Sequence, residues 1–442
     1  MKRVNFQKLI EWQQKPHRRP LLVRGARQTG KTYLIKELGR QFFKQAVVIN
    51  FEQNPRYKDC FKNLEIKHLV QELELISNQR LIPGESLLFL DEIQACPEAI
   101  QAMRYFYEEL PSLHVIGAGS LLEFALAADE FSMPVGRVEF QYLYPMTFTE
   151  MLMMLEQELL LDFLRNLSIK DKIPLSVHQK LLEFLRLYFI LGGMPQVLQL
   201  YLEQANLLEC RNAQTALLQS YYSDFGKYAS RVQQQYCERV FEKVPGLISQ
   251  HFKYTDIDPD LDGRSIKTAI HLLIKANILL PVYYTSAAGL PLTATRVEKK
   301  FKLLFLDLGL VQAVQAISPE LLLNQELMQI NQGALAEQFV GQELLTIQSS
   351  NDRANLFYWQ RDTRGSQAEV DYLITVGDKI VPIEVKSGKS GRLKSLHIFM
   401  KQHRTDLGIK LSQEEFDTSS AIWTVPLYLI EQLPRLIEEI NK

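Results

Sequence analysis

The sequence predicts a multidomain α/β protein, and three observations carry this prediction. A Gly-x-x-x-x-Gly-Lys-Thr motif at residues 25–32 stands between an apolar run and a helical stretch. Apolar runs alternate with helical segments up to about residue 150, which is typical of a mostly parallel sheet. A second group of strands with charged residues begins near residue 369. The 442 residues leave room for roughly three domains of about 150 residues each.

The motif at residues 25–32 predicts a phosphate-binding loop. A glycine loop between a strand and a helix gathers backbone N–H groups at the positive end of the helix dipole. Lys31 can reach the β- and γ-phosphates of a nucleotide, and the Thr32 hydroxyl can ligate Mg²⁺. Gly25 and Gly30 supply the positive φ that such a loop needs. The predicted nucleotide-binding residues are Gly25, Ala26, Arg27, Gln28, Thr29, Gly30, Lys31 and Thr32.

Two carboxylates follow the apolar run 87–90, which is typical of a buried strand. Asp91 suits the Mg²⁺ shell beside Thr32. Glu92 is the candidate base that orients or polarises the attacking water. A second carboxylate next to the metal ligand favours hydrolysis over binding alone.

Two further residues are candidates for the reacting phosphate. Ser120 follows the fourth predicted strand and can hydrogen-bond the γ-phosphate or the water, unless it is a plain turn serine. Arg137 precedes the fifth strand and can stabilise transition-state charge, in its own subunit or across an interface. The alternative for Arg137 is a solvated arginine at the start of a strand, and Arg104 is a weaker candidate for the same role.

At this point the sequence resembles a known family, the bacterial and archaeal AAA-type ATPases with a C-terminal domain of unknown function and a nuclease-like fold. The resemblance implies a P-loop NTPase (AAA+-like) fold with ATP as the nucleotide. One departure is Ala118, where threonine is frequent. The matching stretches are 24–32, 88–94, 118–124, 136–138, 144–150, 192–195, 305–309 and 384–388.

The middle of the chain is predicted to hold two segments after an ATPase core at residues 1–150. Residues 151–235 have a helical pattern, which we interpret as a lid or connector or, alternatively, as a bundle that only packs. Residues 236–315 suggest a winged helix with a helix from Ser265 and strands at 278–284 and 302–305.

The predicted wing and its approach are basic, since they carry Arg296, Lys299, Lys300 and Lys302. This cluster can neutralise phosphates of duplex DNA. Winged helices also dock proteins, and basic residues near a hairpin are often a solvated edge.

Residues 316–442 contain a predicted helix with Glu337, then a strand with Asp371 and a strand with Glu384 and Lys386. This pattern resembles the PD-(D/E)XK nuclease core, a restriction-endonuclease-like α/β domain. Glu384 and Lys386 lie two apart on one predicted strand and so share a face, where Asp371 of the neighbouring strand joins them. Asp371 and Glu384 are the predicted metal ligands, and Lys386 can position or deprotonate water. Glu337, or less favourably Glu343, completes the set from the preceding helix. The same fold also serves as a DNA-binding or structural scaffold.

Net charge and composition limit the classes of binding partner and the cellular compartment that the sequence predicts. The net charge of −1 gives no global attraction to nucleic acid, so a DNA contact must come from a local patch. The best such patch is the basic flank 386–404, which carries Lys386, Lys389, Arg392, Lys394, Lys401 and Arg404. Four separated cysteines, no secretory signal and no long apolar run predict a cytoplasmic protein that does not contact membranes.

The sequence thus predicts an ATP- and Mg²⁺-dependent ATPase joined to a C-terminal half that binds DNA. This half would also cleave DNA if its nuclease-like site is active. The rival hypothesis is a nucleotide-gated regulator or defence switch whose C-terminal fold is inactive and docks a protein. A toxin–antitoxin or mobile-element accessory is a third reading. The sequence leaves open whether the chain forms a homo-oligomer, as an arginine acting across subunits would require.

Overall fold

The computed structural model describes residues 3–126, 136–317, 333–348, 351–361, 368–386 and 393–441. The chain forms two compact units. The first consists mainly of the chain up to Tyr144, and the second of the chain from Pro145 onward. Two short stretches, Lys275–Asn277 and residues 351–353, cluster with the first unit.

The first unit is built on a parallel sheet, which confirms the predicted α/β alternation. The strands of its described part are β1 Leu21–Arg24, β2 Gln45–Asn50, β3 Ser86–Asp91, β4 His114–Ala118 and β5 Glu139–Tyr142. They pair in the order β2-β3-β4-β1-β5, every neighbour parallel. The helices are α1 Val4–Gln14, α2 Lys31–Phe42, α3 Tyr57–Cys60, α4 Ile66–Ser77, α5 Pro97–Glu109 and α6 Leu122–Leu126.

Each face of this sheet is covered by its own apolar core. Leu88 and Leu90 of β3 belong to one cluster, while Leu87 and Phe89 belong to the other. Successive side chains of a strand point to opposite faces, so a strand covered on both faces reads as an unbroken apolar run. This explains why the sequence of β3 shows no alternation.

His114 begins β4 as a buried, neutral histidine. An Arg18 guanidinium nitrogen lies 3.1 Å from Nδ1, and Nε2 lies 3.3 Å from the Gln13 carbonyl oxygen. The arginine can only donate, so Nδ1 accepts and the proton sits on Nε2. Burial, followed by the charge of Arg18, lowers the pKa of His114 to about 4.

We expect His114 to make the first unit sensitive to acid. Its folded pKa of about 4 lies below the ordinary value of 6.5, so the folded state binds fewer protons between these two pH values. The free energy of unfolding should therefore fall as pH decreases from 6.5 towards 4, by on the order of 3 kcal/mol in all. Urea unfolding at several pH values measures this loss. It should shrink in His114→Gln and persist in His17→Gln, an exposed control; an equal loss in both variants contradicts the assignment.

The second unit joins a helical part to a second sheet. Its helices are α7 Phe148–Met154, α8 Glu158–Asn166, α9 Leu175–Leu191, α10 Pro195–Gln204, α11 Leu207–Tyr228, α12 Arg231–Lys243, α13 Gly263–Lys275, α14 Leu308–Val314, α15 Ala334–Ile347, α16 Lys394–His403 and α17 Leu433–Glu438. In the described chain no single helix is long and apolar enough to cross a membrane; α9 and α10 pass only as a pair bent by 118°.

The second sheet contains the strands that we predicted as a separate wing. Its strands are β6 Leu279–Thr285, β7 Arg296–Phe305, β8 Leu356–Gln360, β9 Glu369–Val376, β10 Lys379–Val385, β11 Gly408–Ser412 and β12 Ile422–Pro426. The order is β12-β11-β10-β9-β8-β6-β7. The β6–β7 hairpin continues the sheet through parallel pairing of β6 with β8. The two predicted wing strands therefore belong to a larger sheet, and the predicted boundary at 315/316 runs through that sheet.

Asp307 joins three distant segments at the centre of the second unit. It is fully buried, and its carboxylate accepts hydrogen bonds from the Gly193 N–H at 2.6 Å and the Leu310 N–H at 3.1 Å. The Gly193 carbonyl oxygen in turn accepts a hydrogen bond from the Met146 N–H at 2.6 Å. Met146 also accepts from the Tyr188 hydroxyl at 2.6 Å. The motifs around 146, 193 and 307 therefore have a structural role.

Gly193 leaves no space for a side chain. A Cβ at this position would lie 2.0 Å from the Met146 carbonyl oxygen, whereas one at the exposed Gly246 meets nothing within 4 Å. We expect Gly193→Ala to lower the free energy of unfolding by at least ~2 kcal/mol, because backbone must move. Gly246→Ala, the matched control, should change it by less than about 1 kcal/mol. Urea unfolding followed by circular dichroism compares the two, and equal stabilities would contradict the packing argument.

Candidate functional site

The phosphate loop follows β1 at the carboxyl edge of the first sheet. Gly25 has φ +139°, and a Cβ there would lie 2.1 Å from the Leu143 carbonyl oxygen. Gly30 has φ +93° and precedes α2 directly. Both glycines thus have the positive φ that the sequence predicts. Gln28 also has a positive φ, of 62°, so the predicted loop is tightly turned.

Lys31 lies inside the loop and is 8% exposed. Its ammonium donates to the carbonyl oxygens of Gly25 at 3.0 Å and Ala26 at 2.7 Å. Burial lowers the pKa of Lys31 to about 8, against the opposing charges of Glu92 and Asp91. A desolvated ammonium beside a helix N-terminus attracts anions strongly.

Thr32 and Asp91 meet across the end of the sheet. The Thr32 hydroxyl lies 3.1 Å from Asp91 Oδ1, and the Asn50 amide donates to Asp91 Oδ2 at 3.1 Å. Burial, and then the charge of Glu92, raises the pKa of Asp91. A hydroxyl and a carboxylate in contact beside the loop are oxygen donors of the kind that Mg²⁺ takes alongside phosphate oxygens. The residues present therefore fit Mg²⁺.

Glu92 is held by a residue that the sequence analysis missed. The Gln94 amide donates to Glu92 Oε2 at 2.7 Å, and Glu92 itself has φ +50°, which is strained for a non-glycine residue. A Cβ on Gly119 would lie 1.9 Å from Gln94 Oε1. Gln94 therefore links the acidic pair to the turn that carries the buried Ser120. Gln94 ends the matching stretch 88–94, but its contact with Glu92 depends on the fold.

Arg24 is a second buried group, and the sequence predicted no role for it. Its guanidinium donates to the Tyr142 hydroxyl at 2.8 Å and pairs with Glu123 at 3.2 Å. It also lies 4.0 Å from the centre of the Phe140 ring. These contacts fix the strand end from which the phosphate loop begins.

Arg137 lies at the opposite edge of the sheet from the phosphate loop. It precedes β5, which is parallel to β1, whereas the loop follows β1. Its guanidinium pairs with Glu108 at 2.9 Å, and Arg104 reaches the same carboxylate at 3.1 Å. Because the length of a strand separates the two edges, this position does not fit action of Arg137 on a phosphate in its own subunit. Action across an interface and the alternative, a solvated arginine at the start of a strand, stay as predictions.

The second unit brings four carboxylates together, which we call the acidic centre: Glu337, Glu369, Asp371 and Glu384. They come from α15, β9 and β10. Asp371 accepts a hydrogen bond from the Val385 N–H at 2.8 Å, which ties β9 to β10 at this point. The structure thus gathers the predicted Glu337, Asp371 and Glu384. Glu343 lies elsewhere, where it accepts from the Phe148 N–H at 3.1 Å.

Two ammonium groups lie within the acidic centre. Lys386 pairs with Glu384 at 2.6 Å, as its position on the same strand face predicts. Lys302 of β7 is 3% exposed and contacts Glu369, with Glu337 at 3.6 Å and Asp371 at 4.0 Å. The sequence pattern predicts Lys302 on a DNA-binding wing. That assignment is wrong for this residue, because its charge is buried among carboxylates.

The pKa values of the acidic centre follow from burial and crowding. Burial, and then the charge of Asp371, raises the pKa of Glu337 to about 8 and of Glu384 to about 7. Burial also raises the pKa of Asp371. Burial acts in the same sense on Glu369, but hydrogen bonds from His251 and Lys302 outweigh it and lower its pKa. His251 Nε2 lies 2.6 Å from Glu369 Oε2.

The acidic centre does not fit a divalent metal as it is folded. In the part of the chain that the structure describes, no three His, Cys, Asp or Glu side chains converge closely enough to hold an ion. Mg²⁺ requires oxygen donors at about 2.0–2.1 Å on all sides. Here each carboxylate already contacts, or lies within 4.0 Å of, an ammonium.

The predicted basic flank is described at Lys386 and from residue 393 onward. Lys389 and Arg392 lie outside the described residues. Four exposed basic residues follow one face of α16 and its end, at spacings of three and four: Lys394, His397, Lys401 and Arg404. Within the described chain no carboxylate forms an ion pair with Lys394, Lys401 or Arg404. We call this surface the basic helix face.

Comparisons with protein families identify one domain by type. Residues 17–152 match an AAA domain. Residues 182–321 and 332–430 match two domains of unknown function, DUF8612 and DUF4143. No curated protein matches the chain. The chain therefore carries an AAA-type P-loop ATPase domain at its N-terminus, as the resemblance predicted.

Solved structures give only distant likenesses. The Walker-type ATPase PABY2304 of Pyrococcus abyssi is similar at 15% identity over 70% of this chain and 94% of that chain, with a TM-score of 0.45. The ORC2 protein of Aeropyrum pernix, in ADPNP–ADP complexes, is similar at 11% identity over 73% and 96%, with a TM-score of 0.37. The ORC1 protein of the same organism, in complex with DNA, gives 11% over 72% and 93%, with a TM-score of 0.28. The family match carries the assignment.

Proposed function

We propose that the AAA-type domain binds ATP with Mg²⁺ and hydrolyses it, and that the second unit engages the phosphate backbone of nucleic acid. The observation that carries the first half is the contact between Thr32 and Asp91 beside the buried Lys31. Two oxygen donors and an ammonium at one helix N-terminus are what a metal–triphosphate complex requires.

Different groups around the phosphate loop bind different parts of the nucleotide and its metal ion. Lys31 neutralises the outer phosphates, and the backbone N–H groups of the loop hold their oxygens. Thr32 and Asp91 would hold Mg²⁺, and the Asn50 amide orients the Asp91 carboxylate by a hydrogen bond. When bound, the ion neutralises charge that develops on the phosphate oxygens.

Hydrolysis requires a group that orients water, and we assign it to Glu92. The adjacent Asp91 would hold the metal, which leaves the carboxylate of Glu92 to orient the attacking water. Gln94 acts as a positioning residue, since its amide restrains Glu92 by a hydrogen bond of 2.7 Å. Ser120 lies on the turn against Gln94 and is a candidate sensor of the γ-phosphate.

We expect the two halves of this assignment to separate in mutants. Lys31→Ala should abolish most ATP binding measured by calorimetry, because the loop loses its ammonium. Glu92→Gln should still bind ATP but turn it over at least ~100-fold more slowly. Lys36→Ala, on the exposed side of the same helix, is the control and should behave as wild type. Wild-type turnover by Glu92→Gln would refute the role of Glu92.

Two observations support a nucleic-acid ligand for the second unit. Helix α15 carries Glu337, and strands β9 and β10 carry Asp371 and Glu384, in the chain order of the nuclease-like core that the sequence resembles. The basic helix face offers charges that are not neutralised by neighbouring carboxylates in the described chain. The β7 residues contribute less, because Arg296 pairs with Glu298 and Lys302 is buried. Cleavage is not part of this proposal.

We expect DNA affinity to fall steeply with salt and to depend on the basic helix face. Reversing Lys394 and Lys401 to Glu should weaken binding of a fluorescent duplex at least ~10-fold and reduce the salt slope by about 2, because each phosphate contact releases about 0.9 counterion. Reversing the exposed Lys172 and Lys180 changes net charge equally and is the control. Salt-independent binding or none at all would favour the alternative, a nucleotide-gated regulator that docks a protein.

A further inference from the structure

We infer that the ammonium of Lys302 takes, within the acidic centre, the place of a divalent cation. The centre is thereby held together by the protein's own charges, and it becomes a metal site only when this ammonium is removed. This inference concerns the second unit alone and does not depend on ATP hydrolysis or on nucleic-acid binding.

The position of Lys302 carries the inference. Its ammonium contacts Glu369 and lies 3.6 Å from Glu337 and 4.0 Å from Asp371, so one positive charge lies near three carboxylates. The side chain is 3% exposed, so water screens these interactions weakly. A single positive group near three carboxylates does electrostatically what a bound cation does.

The energetics require these contacts. Burial of an ammonium costs several kcal/mol, and only close opposite charges offset that cost. The reverse also holds, because carboxylates this close repel one another unless a cation lies among them. Lys302 and the acidic centre therefore stabilise each other. Their contacts differ from an ordinary surface ion pair, because the ammonium of Lys302 is buried.

The same position opposes metal uptake. A Mg²⁺ or Mn²⁺ ion bound to Asp371 would lie a few ångströms from the Lys302 ammonium, in a poorly hydrated site where repulsion is strong. Glu384 is engaged by Lys386 at 2.6 Å as well. Both expected metal ligands, Asp371 and Glu384, thus have a competing cation.

The edge strand of the second sheet delivers this charge. Lys302 lies opposite Val282 in the β6–β7 pairing, and β6 pairs in turn with β8. The hairpin that joins the sheet is therefore the element that places an ammonium in the acidic centre. Lys299 of the same strand is exposed, which makes it a matched control.

The test is Mn²⁺ uptake without nucleotide, measured by calorimetry on full-length protein. Wild type and Asp371→Asn should take up Mn²⁺ equally, because Asp371 binds none. Lys302→Met roughly keeps the length of the side chain and should gain one Mn²⁺ site that binds at least tenfold more tightly than any site of the wild type. The double variant Lys302→Met with Asp371→Asn should lack this added site. Lys299→Met should resemble wild type.

Thermal unfolding supplies the second readout. Lys302→Met should melt at a lower temperature than wild type and recover with MnCl₂, whereas Lys299→Met should do neither. Recovery of folding by Mn²⁺ also supports the inference where Lys302→Met is unfolded without metal. Uptake by wild type that Asp371→Asn abolishes would overturn the inference. The inference would also be overturned if Lys302→Met folds but gains no Mn²⁺ site. It would be overturned as well if Lys302→Met is unfolded and Mn²⁺ does not restore its folding.

Discussion

The parallel register of β1, β3 and β4 is the constraint on which the nucleotide site depends. Val23 and Asp91 both lie opposite Ala118, so the ends of three strands form one row. The phosphate loop, the acidic pair and the turn with Ser120 all follow from that row. Residues separated by about sixty positions thereby come within hydrogen-bonding distance, as Thr32 and Asp91 do. The chemistry of the site is thus a property of sheet pairing before it is a property of any one side chain.

The sequence predicted what local patterns encode. The strands of the first sheet, the turn glycines and the partnership of Thr32 with Asp91 were accessible, because apolar runs and a glycine motif specify them over short distances. Gln94 and the edge position of Arg137 were not, since both depend on which strands become neighbours. Lys302 was assigned to the wrong surface for the same reason. A lysine on an edge strand looks solvated until its sheet partners are known.

The second unit uses charge in two opposite ways. In the acidic centre, carboxylates and ammonium groups are buried together and neutralise one another, so the charge is internal. On the basic helix face, the cations are exposed at helical spacing and are available to an external ligand. The two groups of charges therefore differ in their exposure. The basic residues of α16 face solvent, whereas the carboxylates of the acidic centre are paired with buried or half-buried ammonium groups.

The continuation of the second sheet into β6 and β7 also limits how the polypeptide can be dissected. A fragment cut after residue 315 would leave the backbone groups of β8 unpaired along the side that β6 covers. An unprotected strand of this kind is a template for pairing with another copy, which promotes aggregation. The hairpin thus acts as a built-in protective edge, and gene fragments meant for expression should begin upstream of it.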